Sequence, residues 1–460
     1  MVKRRTSALG VFLAIVSCLL PYGFTFGGAA DRPRPNIVFI LIDDLGWADL
    51  GCCGSRYYET PRIDQLARQG MRFTDAYAAC PACSPTRASI LTGKYPARLH
   101  LTDWIPGRTP PNSKLAIPDW RKYLPGEELT MAEVLKSAGY ATAAVGKWHL
   151  GSEPYFPENQ GFDLNVAGSN IGAPRSYFFP YGQRPKLSGG KPGEYLTDRL
   201  TDEAVEFITA HRQEPFFLYL AHYAVHTPIQ AKPELIAKYR DKPGNSGQTS
   251  AVYAAMVESV DESVGRIVDA LQRYQLTERT AVILFSDNGG LARPTATSNL
   301  PLRSGKGFPF EGGVRVPLIV RWPGIVPSGS TCKEVVTSVD FFPTVLEILG
   351  ADVAQGKMAE TDGVSLLPLL KRAGTLSRDA VYWHYPHYNP IGGFPYGAVR
   401  QGDWKLIEFY EDGHTELYNL RDDIGETTDL ASTRPEIASR LAEKLHRWRT
   451  SVKAQMPRLR

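Results

Sequence analysis

Five runs of consecutive apolar, largely β-branched residues punctuate the chain, at residues 36–43, 142–147, 216–222, 281–285 and 316–322. Hydrophobicity at every position, rather than at alternate ones, suits strands covered on both faces, as in a parallel sheet. Between these runs the spacing changes to that of amphipathic helices, over 84–91, 130–138, 201–211 and 251–274. Such alternation predicts an α/β fold, a large, mostly parallel sheet sandwiched by helices. From about Asp379 the pattern becomes one of alternation. Segments 381–385, 397–400, 404–409 and 416–420 predict an antiparallel sheet, and 435–448 a terminal amphipathic helix. The expected organisation is an α/β domain over 31–378 and a smaller C-terminal α+β domain over 379–460. Segment 151–193 is rich in Gly, Pro and aromatics with little periodicity, the mark of a long ordered loop that lines a site.

The first thirty residues follow another logic. Lys3, Arg4 and Arg5 precede an apolar run over 9–20, and Gly27, Gly28, Ala29 and Ala30 follow it. This predicts a secretory signal peptide cleaved before Asp31, and export to the periplasm or the extracellular medium. A lipobox-like Ile15-Val16-Ser17-Cys18 and an uncleaved anchor are the two other readings, and only they would bring in a membrane. The net charge is only +4 over 460 residues, without a basic cluster, which excludes nucleic acid as the expected partner. Five cysteines lie beyond the signal, too few for a disulfide scaffold, and the odd count leaves at least one unpaired.

Polar residues gather where the predicted strands end: Asp43 and Asp44, Lys147 and His149, His226, Asp287 and Asn288. In open α/β sheets ligands bind outside the carboxyl ends of strands, so these ends point to one shared cleft. Asp43, Asp44, Asp287 and Asn288 offer hard oxygen ligands suited to calcium or magnesium rather than zinc, although each pair alone also reads as a cap or turn. Lys147 and His149 alternate, so on an extended segment they face the same side. Cys83 opens a predicted helix, in A-C-S-P-T-R-A-S-I-L-T-G-K at residues 82–94. Taken singly it is a helix-start cysteine, where the helix end favours a thiolate. His222 lies inside an apolar run and reads as structural. Lys306 sits in a glycine-flanked loop ahead of E-G-G, with Arg303 as its nearest rival.

The spacing Cys83-x-Pro85-x-Arg87, followed by Leu91-Thr92-Gly93, and G-K-W-H-L-G at residues 146–151 resemble the two signatures of the formylglycine-dependent type I sulfatases, the arylsulfatases and carbohydrate sulfatases of the alkaline phosphatase superfamily. Asp43-Asp44, Ser286-Asp287-Asn288-Gly289 and the Lys306 loop fall in the same order. The resemblance implies that a formylglycine-generating or sulfatase-maturating enzyme oxidises Cys83 to formylglycine. It implies one calcium ion held by Asp43, Asp44, Asp287, Asn288 and the residue at Cys83. It assigns Arg87 as a fixed charge on the nucleophile, Lys147 and Lys306 as sulfate contacts, His149 as the base and His226 as the general acid. A hydrated aldehyde suits a sulfate ester: one hydroxyl takes the sulfuryl group and the other lets the adduct collapse without water attacking sulfur. The implied function is a sulfuric ester hydrolase acting on a sulfated carbohydrate, with aryl sulfates as surrogates. Asp103, Trp104, Arg175, His384, His387 and Asn389 are candidates for a sugar subsite. A phosphate mono- or diester hydrolase of the same superfamily and a non-catalytic binder of sulfated glycans are the alternatives.

Overall fold

The computed structural model describes residues 34–183, 187–350 and 360–460; the signal-peptide and lipobox readings fall outside them. Eight strands form the principal sheet: β1 (Asn36–Ile42), β2 (Met71–Phe73), β3 (Ala141–Gly146), β4 (Leu164–Val166), β5 (Phe216–Ala221), β6 (Thr280–Ser286), β7 (Leu318–Arg321) and β8 (Ser330–Cys332). Their spatial order is β8-β2-β7-β6-β1-β5-β3-β4. The central strands β6, β1, β5, β3 and β4 pair in parallel. Strand β7 runs against both of its neighbours, β6 and β2. The run at 316–322 is thus a sheet strand of reversed direction, which an apolar pattern cannot disclose because it carries no polarity.

Central β1 shows why continuous apolar runs were required. All seven of its residues are buried. Val38, Ile40 and Ile42 join a core with Leu200 and Ile208 of helix α2 (Leu196–Ala210) and with Val257 and Val264 of helix α3 (Ala251–Arg273). Ile37, Phe39 and Leu41 join the opposite core, with Ile90, Val134 and Phe341. Each face of the pleat therefore meets a layer of helices, and alternate side chains serve different cores.

The C-terminal sheet is a meander of β9 (Val381–Tyr385), β10 (Tyr396–Gln401), β11 (Trp404–Phe409) and β12 (Thr415–Asn419), antiparallel throughout. Its Val399, Leu406 and Leu417 pack on Leu441 and Leu445 of the terminal helix α4 (Pro435–Ser451). Trp383, Ala398 and Ile407 share a core with Tyr77, Phe310 and Val314, so the opposite face seats the sheet on the larger unit. Beyond α4, Arg458–Leu459 pairs with Leu115–Ala116, joining the tail to a loop beside the cleft described next.

Candidate active site

Helix α1 (Cys83–Thr92) begins at Cys83, after an extended Ala82, and all ten of its residues are buried. Arg87 is one turn along and fully buried, so it is no solvated surface residue. Its Nε donates to Asp287 Oδ2 at 2.9 Å and its Nη1 to the Lys147 carbonyl at 2.8 Å; Asp43 lies 3.9 Å from Nη2. One guanidinium therefore ties the nucleophile helix to the ends of β1, β3 and β6, and its charge is permanent.

Asp43, Asp44, Cys83 and His226 bring their polar atoms within 4.8 Å of one another. Burial and the neighbouring Asp287 push the Asp43 carboxyl up to about 7, against the Lys147 ammonium at 2.6 Å. Asp44 is buried too, but Lys306 at 2.7 Å and His226 outweigh burial and hold its carboxyl below the ordinary range. The Asp44 amide donates to Asp287 Oδ1 at 3.2 Å, and Asn288 Nδ2 donates to Asp44 Oδ1 at 2.8 Å. Asn288 Oδ1 is buried with no hydrogen-bond partner among the described residues. Three crowded carboxylates and an orphaned amide oxygen form a donor set that fits a hard divalent cation, whose charge would reverse the upward push on Asp43. The turn after β6 needs its glycine: a Cβ on Gly289 would stand 1.8 Å from the Gly312 carbonyl of the E-G-G segment.

Strand β3 stops at Gly146, and His149 takes a left-handed φ of 61°. Lys147 and His149 are therefore not neighbours on one side of an extended strand, as their alternation predicts. A turn sends Lys147 to Asp43, while the His149 ring lines the cavity. His149 Nε2 donates to the Ile105 carbonyl at 2.5 Å, leaving Nδ1 buried and unpartnered among the described residues. Burial and Lys147 hold the ring well below the usual histidine pKa, so it is neutral with a free lone pair, the state a base requires. His226 Nδ1 donates to the Thr227 carbonyl at 2.8 Å, and its Nε2 stands 3.7 Å from Asp44. Burial and Lys306 push His226 down to about 3, so an acid role requires it to gain its proton with an anionic substrate. Lys306 reaches Asp44 and lies 3.5 Å from Cys83 Sγ. Its rival Arg303 turns away, stacking over Phe310 at 3.6 Å and donating to Tyr418. His222 bonds Ser263 inside the core.

For Cys83 the structure reverses the simplest expectation. A helix N-terminus favours a thiolate, yet burial, aided by Asp43 and Asp287, pushes this thiol up to about 12 despite Lys147 and Lys306. Unmodified, it is a neutral and poor nucleophile at physiological pH.

A cavity of about 830 Å³ opens over Cys83, His149, His226 and Lys306. Of the subsite candidates, Trp104 and Asn389 line it. Asp103 does not: it is buried beneath the wall, accepting from the Tyr385 hydroxyl at 2.6 Å and the Trp104 amide at 2.8 Å, and burial pushes its carboxyl up to about 7. His384 bonds Tyr410 and the Gln455 carbonyl, and His387 bonds Thr102. Arg175 packs against Gly182. Arg108 and residues 170–173 also line the cavity, and sequence reasoning missed them apart from placing 170–173 within a site-lining loop.

Behind the Lys306 loop lies a buried ionic cluster. Glu311, the first residue of E-G-G, accepts from Lys405 at 2.8 Å, Arg315 at 3.1 Å and the Tyr77 hydroxyl at 2.6 Å. Glu426 pairs with the same Lys405 at 2.9 Å and accepts from the Glu311 amide at 2.6 Å. Lys405 and Glu426 come from the C-terminal unit, which is thereby joined to the turn that carries Lys306.

The mostly parallel sheet, the helix-borne Cys83 and the carboxylate cluster at the strand ends have the arrangement of an α/β ester hydrolase. The sulfatase family model matches residues 35–351, and the model described as N-sulphoglucosamine sulphohydrolase, C-terminal, matches 304–451. A sulfatase of Formosa agariphila is 34% identical, with 97% of this chain and 94% of the relative covered. The mouse N-acetylgalactosamine-6-sulfatase is 35% identical over 77% of this chain and 70% of its own length. Among solved structures, Ps i-CgsB in complex with k-i-k-neocarrahexaose superposes with a TM-score of 0.75 at 32% identity, covering 90% of this chain and 93% of that one. The chain belongs to the sulfatase family, within the alkaline phosphatase superfamily, and is an enzyme that hydrolyses sulfate esters.

Proposed function

We propose that this sulfatase acts on a sulfated carbohydrate, through a formylglycine made from Cys83 by a maturating enzyme and with a calcium ion held by Asp43, Asp44, Asp287 and Asn288. The observation that carries the reading is the orphaned Asn288 oxygen beside a cluster of buried carboxylates that also holds Cys83, a thiol kept neutral by burial. Carbohydrate is favoured because the cavity exceeds an aryl sulfate in size, and because relatives named for sugar sulfatases share a third of the sequence. Export is proposed from the pattern over residues 1–30.

Bound calcium would neutralise the carboxylates and polarise the sulfate oxygens. A hydrated formylglycine would supply the attacking hydroxyl and a second hydroxyl for release. The remaining work falls to the side chains described above. Arg87 and Lys147 hold positive charge behind residue 83. Lys306 and Lys147 receive the sulfate oxygens. His226 Nε2 gives a proton to the departing sugar oxygen, while His149 Nδ1 withdraws one from the remaining hydroxyl. Peptide mass spectrometry of the active enzyme should find Cys83 as the aldehyde, and aryl sulfate should be hydrolysed far faster than aryl phosphate. Cys83→Ala should fold and lose turnover. Turnover near the parental level in Cys83→Ala, or an active enzyme carrying only the thiol, overturns the reading.

A further inference from the structure

Among the residues lining the cavity, the charged groups besides the reacting cluster on its floor reduce to one, Arg108. Among the described residues no carboxylate lines the walls; the other polar side chains there are the amides of Asn170 and Asn389 and the indole of Trp104. Lys306, the other cation, is committed to Asp44 and Cys83. Arg108 is exposed and makes no ion pair or hydrogen bond among the described residues.

Its place relative to the chemistry is nonetheless set. Three residues earlier, the Ile105 amide donates to Ser84 Oγ at 3.1 Å, beside the nucleophile, and the Ile105 carbonyl accepts from His149. Gly107 lies against the Trp120 ring so closely that a Cβ would stand 2.6 Å from it. Further on, Leu115–Ala116 is bound by the C-terminal tail. A guanidinium thus rises from an anchored wall into a cavity whose described lining offers no carboxylate to pair with it. Guanidinium groups bind carboxylate and sulfate oxygens in pairs, and an unpaired cation in a concave site raises the local concentration of anions.

We infer that this cavity selects substrates bearing a second anionic group, a sulfate or carboxylate on the reacting sugar or its neighbour, and that Arg108 receives it. The inference rests on the carbohydrate sulfatase reading above. It is tested by inhibition of 4-nitrophenyl sulfate hydrolysis with three probes: galactose 6-sulfate, galactose 2,6-disulfate, and galactose 6-sulfate linked to a uronic acid. In the parent enzyme at low salt, one of the doubly anionic probes should inhibit about tenfold better than the monosulfate. The better probe tells a sulfate receptor from a carboxylate receptor. Arg108→Gln should abolish that preference, read as the ratio of inhibition constants so that any general loss of anion affinity cancels; Arg108→Lys should restore part of it, and added salt should weaken it. Equal inhibition by all three probes in the parent, or an undiminished preference in Arg108→Gln, overturns the inference while leaving the sulfatase reading intact. Absence of aryl sulfate turnover in protein carrying the aldehyde at position 83 would overturn the underlying reading instead.

Discussion

Replacing Lys405 by methionine tests whether the C-terminal unit holds the catalytic turn in place. The ammonium serves two carboxylates, Glu311 at 2.8 Å and Glu426 at 2.9 Å, and all three side chains are fully buried. Burial raises a carboxyl, yet Lys405, Arg315 and Arg400 outweigh it at Glu311 and hold that group down at about 2. At Glu426 burial dominates, and the carboxyl is pushed up to about 7. Removing one partner of a buried pair costs about 3–5 kcal/mol. Arg315 remains on Glu311, so the lower end, about 3 kcal/mol, applies. The unfolding entropy of a 460-residue chain is about 1 kcal/mol per kelvin, which makes the expected loss about 3 °C in Tm. The sign with pH follows from Glu311. Its folded pKa lies below its unfolded value, so its stabilisation is full above about pH 4.5 and disappears as pH falls toward 2. The gap between parent and Lys405→Met should therefore be widest near neutrality and close on acidification. Because Glu311 opens the turn that abuts Gly289, kcat for an aryl sulfate should also fall several-fold. Differential scanning fluorimetry across pH reads the first effect and steady-state kinetics the second. A variant that melts within about 1 °C of the parent at pH 7 with full activity would refute the reasoning.

Three other outcomes are expected. Gly172→Ala places a Cβ 2.5 Å from His149 Cε1, so the ring must leave its bond to Ile105, and kcat should fall about tenfold or more while the fold survives; unchanged kcat would exclude His149 as a precisely placed base. Asp103→Asn keeps an oxygen for Tyr385 and Trp104 but does not ionise. The parental carboxyl sits at about 7 when folded and near 3.8 when unfolded, so the parent loses stability as pH rises between those values and the variant does not; parallel Tm curves from pH 4 to 8 would contradict this. Chelation should lower Tm by about 3 °C and stop turnover, with calcium restoring both, if the ion is present at about a hundred times its Kd; a Tm indifferent to chelator and calcium would remove the metal from Asp43, Asp44, Asp287 and Asn288.

The strands of the central sheet were legible because burial on both faces leaves an unbroken apolar run, as in β1 and β5. Asp43, Asp44, Lys147, Asp287 and Asn288 drew notice for a related reason, since each follows a strand where the apolar run gives way, whereas Cys83 and Arg87 lie on helix α1 and His226 and Lys306 in loops and drew notice through motif spacing. What the pattern lacks is direction and path. It could not reveal that β7 is reversed, nor that the chain turns at Gly146 and separates Lys147 from His149. Beyond Trp104, Asn389 and the loop that holds 170–173, the cavity wall stayed hidden because its segments are aperiodic and meet only through tertiary contacts. Chemistry-bearing residue types misdirected the subsite search for the same reason. Asp103, His384 and His387 are polar because they fasten loops from behind, and nothing local distinguishes that from facing a ligand. Glu311, Lys405 and Glu426 lie far apart along the chain, and an ion pair leaves no periodic trace.

The pairing of Arg458–Leu459 with Leu115–Ala116, together with the His100 and His384 bonds to the Lys453 and Gln455 carbonyls, ties the wall that carries Arg108 to a segment far along the chain. A substitution in that distant segment would therefore alter which glycan the cleft admits without changing any residue of the cleft itself.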